Sequence, residues 1–129
     1  MAYTIYVNAS ISEDGNFAAC TYSLNADGTG PVDGNDIHIP VNAGECSFAQ
    51  ADETHLSLIG ATFKTIGSTP GMNSSNFAPA NDENVVTLPM PTTSTVTKGV
   101  VLLFSTPGIV ENLYPSSDPQ VTNDTSACL

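Results

Sequence analysis

Residues 3–12 alternate without a break: Tyr3, Ile5, Val7, Ala9 and Ile11 occupy one set of positions, and Thr4, Tyr6, Asn8, Ser10 and Ser12 the other. Successive side chains of an extended chain point to opposite faces, so this period of two specifies a half-buried strand. A strand needs a neighbour, and the next residues supply one. Glu13-Asp14-Gly15-Asn16 reads as a turn, because Gly15 tolerates the positive φ of tight hairpins. Residues 17–24 then form a second strand with Ala18, Cys20, Tyr22 and Leu24 on its apolar face. The pair predicts a hairpin.

The same grammar continues. Residues 25–36 form a polar loop, after which Ile37, Ile39, Val41 and Ala43 alternate with His38, Pro40 and Asn42. Pro40 has no N–H for a sheet ladder, which marks this strand as an edge. Residues 46–66 admit both strand and helix. Leu56, Ile59, Phe63 and Ile66 recur at helical spacing, whereas Leu56 and Leu58 change phase at Gly60 to Ala61 and Phe63, as a β-bulge would cause. The β-branched Thr62, Thr65 and Ile66, with Gly60 among them, favour the strand.

Residues 67–84 are a long polar loop holding only Met72 and Phe77 as large apolar residues. Val86, Leu88 and Met90 form a strand that Pro89 and Pro91 end or push to an edge. Val100-Val101-Leu102-Leu103-Phe104 reads as a central strand buried on both faces. Lys98 shares the phase of Val96 and Val100 and so points inward at a strand end, unless a bulge at Gly99 turns it outward. From about residue 111 the chain reads as irregular, around Pro115 and Pro119, with room for one short strand near Val121.

About seven strands at this spacing, with no internal repeat or heptad, predict an all-β fold. The expected form is a single antiparallel β-sandwich domain over residues 1–129, Ig-like or jelly-roll-like, with long polar loops.

Charge narrows the partners. The chain has 13 acidic residues, two lysines, no arginine and a net charge of −11. Nucleic-acid affinity and attraction to anionic leaflets both come from clustered Lys and Arg, so neither partner is expected. No apolar run of bilayer length is present, and no membrane insertion is expected. Met1 leads into the first strand with no charged n-region or apolar h-region, so no signal peptide is visible. Cytoplasmic synthesis followed by assembly into a particle or surface structure is the expectation. Only 12% of residues are charged, against about 25% in ordinary soluble domains, so the surface is largely Ser, Thr, Asn and Gly. Few long lysines need ordering at a contact, which favours recognition or packing. The acids gather at 13–14, 27–36, 45–53 and 82–83, mostly in turns. The sequons at Asn8, Asn73 and Asn123 read as chance matches.

Asp27, Asp33, Asn35 and Asp36 put four oxygen-bearing side chains on one loop, a set suited to calcium. Solvated turns explain the same residues equally well. His38, His55, Glu45 and the cysteines lack ligand spacing, and the three cysteines, Cys20, Cys46 and Cys128, form no CxxC. There is no G-x-S-x-G elbow, P-loop or dinucleotide fingerprint, so no catalytic residue is assigned. The leading expectation is a non-enzymatic interaction module, a self-assembling structural or surface-decoration protein whose partner is a protein or itself. The alternative is a carbohydrate-binding, lectin-like module using Tyr6, Asn73 and Asn76, with calcium on the loop at residues 27–36.

Overall fold

The computed structural model describes residues 2–66, 76–107, 109–116 and 119–125. Among these, the alternating segments become eleven strands and no α-helix. They are β1 (Ala2–Ile11), β2 (Ala18–Ser23), β3 (Pro31–Val32), β4 (Ile37–Pro40), β5 (Glu45–Gln50), β6 (Ser57–Thr65), β7 (Phe77–Pro79), β8 (Val86–Pro89), β9 (Thr97–Thr106), β10 (Ile109–Pro115) and β11 (Gln120–Thr125). The first sheet runs β3-β2-β1-β5-β8. The second runs β4-β11-β9-β6-β7, with β10 also bonded to β9 beyond the end of β11.

The hairpin forms as expected, with Val7 opposite Tyr22 and Ala9 opposite Cys20. Two other pairings are parallel, β1 with β5 and β4 with β11. Parallel neighbours need a long crossover, and here the chain passes through the opposite sheet between them. Ile5 and Val7 of β1, Phe48 of β5 and Leu88 of β8 pack in one core with Ile37 and Ile39 of β4, Leu58 and Phe63 of β6, Leu102 and Phe104 of β9, and Val121 of β11. Tyr22 meets Phe48 edge to face, with ring centroids 6.3 Å apart.

Side chains close the ladder where it breaks. The β6–β9 register slips between Leu58 and Gly60, so the phase change at Gly60 is a bulge. The Leu58 N–H donates to Gln50 Oε1 at 2.7 Å, and Asn84 Nδ2 donates to the Leu58 carbonyl at 3.1 Å. Asn123, with no exposed surface, fastens the loop before β9 to β11. Its Oδ1 accepts the Val96 N–H at 2.7 Å, while Nδ2 donates to the carbonyls of Pro91 at 2.7 Å and Ser94 at 2.9 Å. Both amide hydrogens are thus committed, and the asparagine of that sequon is buried in the fold.

Several expectations change. Residues 45–50 are strand β5, and Phe77–Pro79 adds β7 to the polar run. The segment from residue 111, read as irregular, continues β10 and contains β11. The prolines that suggested irregularity stand at the end of β10 and just before β11, where no ladder N–H is needed. Lys98 points inward: Nζ lies 5.0 Å from the Phe63 ring centroid and donates to the Pro89 carbonyl of the other sheet at 2.6 Å. β9 is central, but only one of its faces is buried. Val100, Leu102 and Phe104 lie in the core, whereas Val101 is 36% exposed. Two layers cannot cover both faces of a strand.

The outermost strands of the two sheets share one property. β3, β4, β7 and β8 are two to four residues long and carry Pro31, Pro40, Pro79 and Pro89 at their ends. β10, bonded only to β9, ends at Pro115, and its register breaks between Ile109 and Leu113. Short edges with prolines offer few backbone donors to an incoming strand.

Candidate functional site

With the inner faces of both sheets in the core, function falls to the outer faces and loops. The first sheet's outer face is hydroxyl-rich. Thr4, Tyr6, Asn8 and Ser10 of β1 lie beside Thr21 of β2 and Ser47 of β5, and the Ser47 hydroxyl bonds that of Thr87 at 2.9 Å. Tyr6 is half-buried between Ser23 and Ala49. Two shallow grooves share Asn8 and Thr21. One, of about 260 Å³, is bounded by Asp27 and Glu53; the other, of about 370 Å³, reaches Ser10 and His55. Cys20 borders the second groove, but it packs against the core and its thiol donates to the Ala18 carbonyl at 3.8 Å.

The second sheet's outer face is different in kind. Cross-strand rows place Phe77, Thr62 and Val101 side by side, then Pro79, Gly60, Leu103 and Pro115. Leu113 stands opposite Ser105 on the same side. Phe77 (48% exposed), Val101 (36%), Leu113 (50%) and Ile66 (48%) are open to solvent. Two glycines let the apolar side chains lie flat. A Cβ on Gly60 would come within 3.2 Å of the Phe77 ring, and one on Gly99 within 3.5 Å of Ile66. A groove of about 310 Å³ runs over Gly99 between Lys64, Ile66, Val101 and Gln120.

The flank of that face, on β11 and β4, is polar. The Thr97 and Thr122 hydroxyls bond at 2.7 Å. Beside them the His38 ring is held at both nitrogens, Nδ1 by Asp124 at 2.7 Å and Nε2 by Asp36 at 2.5 Å. Only the imidazolium donates at both positions, so Asp124 first, and then Asp36, raise the His38 pKa above its ordinary value. Lys64, on the same face, has no ion pair among the described residues.

The loop expected to hold calcium is spread over separate places. Asp27 Oδ1 accepts from the Thr29 hydroxyl at 2.7 Å and the Thr29 N–H at 3.0 Å. Those bonds, the hydroxyl first, hold its carboxyl below the usual range. Asp33 accepts the Asn35 N–H at 2.9 Å, and Asp36 is engaged by His38. Asp27 borders a groove on the first sheet and Asn35 one on the second. Among the described residues no three His, Cys, Asp or Glu side chains are grouped to hold a metal ion. Asn76 is half-buried just before β7, and Asn73 lies outside the described residues. Burial pushes the Cys46 thiol up to about 12, which leaves it protonated at ordinary pH. No helix among the described residues is long and apolar enough to cross a membrane.

No protein-family model matches the chain, and no curated protein matches it. What the surface can do then follows from its chemistry. Sequence reasoning passed over the apolar face because it assigned both sides of Val100 to Phe104 to the interior. The signal was that same unbroken apolar run, next to Phe77 and Ile66 in segments too polar to cover it.

Proposed function

We propose that the protein is a non-enzymatic interaction module whose working surface is the apolar centre of the second sheet's outer face. Such a module suits a self-assembling structural or surface-decorating protein. One observation carries this reading: Phe77, Val101, Leu113 and Ile66 are all exposed on one open face. Contiguous exposed apolar patches of a few hundred Å² mark contact sites on soluble proteins. Retention on an alkyl matrix in moderate salt tests it. The wild type should be held and Val101→Glu should elute early, with both giving the same circular dichroism. Leu24→Glu, altering an equally exposed apolar residue outside that sheet, should behave as wild type. Retention that ignores Val101 would refute the reading.

The grooves on the first sheet favour a second reading. Asn8, Thr21 and Ser23 form a neutral hydroxyl- and amide-bearing floor, bordered by Asp27 and Glu53, that suits a carbohydrate, with Tyr6 opposite Ser23 in the neighbouring strand. Calcium held by Asp27, or by Asp33, Asn35 and Asp36, would belong to that reading. Glycan-array binding lost in Asn8→Ala, and thermal stabilisation by millimolar calcium that chelator reverses, are its expected results. No glycan retained with or without calcium removes it.

A further inference from the structure

We draw no further inference here: the strongest candidate, the apolar surface patch of Phe77, Val101, Leu113 and Ile66 on the outer face of the second sheet, belongs to the site already described, and nothing in the structure shows what covers it.

Discussion

Replacing Asn123 by leucine keeps the approximate volume of the side chain and removes three hydrogen bonds from a site with no exposure. Each intramolecular hydrogen bond is worth about 1 kcal/mol net, so the loss is about 3 kcal/mol. Stranding all three backbone partners in the interior would cost more, but residues 92–95 are exposed and water can reach part of the freed loop. At roughly 4 °C per kcal/mol for a chain of this length, the melting temperature should fall by about 12 °C. Asn123→Asp separates hydrogen bonding from packing. It keeps an acceptor for the Val96 N–H but turns a carboxylate oxygen toward the Pro91 and Ser94 carbonyls. It should be worse than leucine at pH 7 and recover as pH falls, since a buried carboxyl has a raised pKa and its penalty exists only while it is ionised. Urea denaturation followed by circular dichroism at pH 7 and pH 4 reads both effects. Leucine within 1 kcal/mol of wild type, or aspartate no worse than leucine at pH 7, would refute the account of Asn123 as the fastening between the loop and β11.

Three further outcomes are expected. His38 should titrate above its ordinary value of 6.5, because Asp124 and then Asp36 favour the imidazolium. Its stabilisation is complete below pH 6.5 and is lost as pH rises through the folded pKa, so His38→Gln should flatten the stability profile above pH 6.5. A ring titration by NMR at or below 6.5 would contradict this. Cys46, its thiol pushed up to about 12 by burial, should resist alkylation at pH 8 in the native protein and react after denaturation, as peptide mapping would show. Lys98→Met keeps the stem but removes the bond to the Pro89 carbonyl and the contact with Phe63. About 1 kcal/mol should be lost in urea melts, a modest figure because the amine is partly solvated.

Where local physics decides, the sequence is readable. Period two places Ile5, Val7 and Ala9 inside β1, and the phase slip at Gly60 marks the bulge. Pro40 closes a strand at a sheet edge, as a residue without an N–H must. Where the answer depends on a distant partner, it is not readable. The strand at residues 120–125 lacks a strong apolar alternation because Asn123 takes an interior position that periodicity reserves for a hydrophobe, and only the loop carbonyls it serves explain it. Val101 and Leu103 look like core, since apolar content does not reveal how many layers a fold has. The loop at residues 27–36 is rich in oxygen, but whether its side chains converge depends on a crossing between sheets that no spacing encodes.

The parallel pairing of β4 with β11 has a consequence for how the chain comes to be folded. Ile37 and Ile39 are fully buried, yet their strand finds its ladder among the described residues only against β11, opposite Val121, Thr122 and Thr125. During synthesis β4 therefore waits, greasy and unbonded, until residues 120–125 leave the ribosome. Contacts so remote in sequence form slowly, and a nascent chain in that interval is a substrate for chaperones and for misassembly. Refolding in the test tube should be slow, and yield should depend on how long the half-made sheet is left alone.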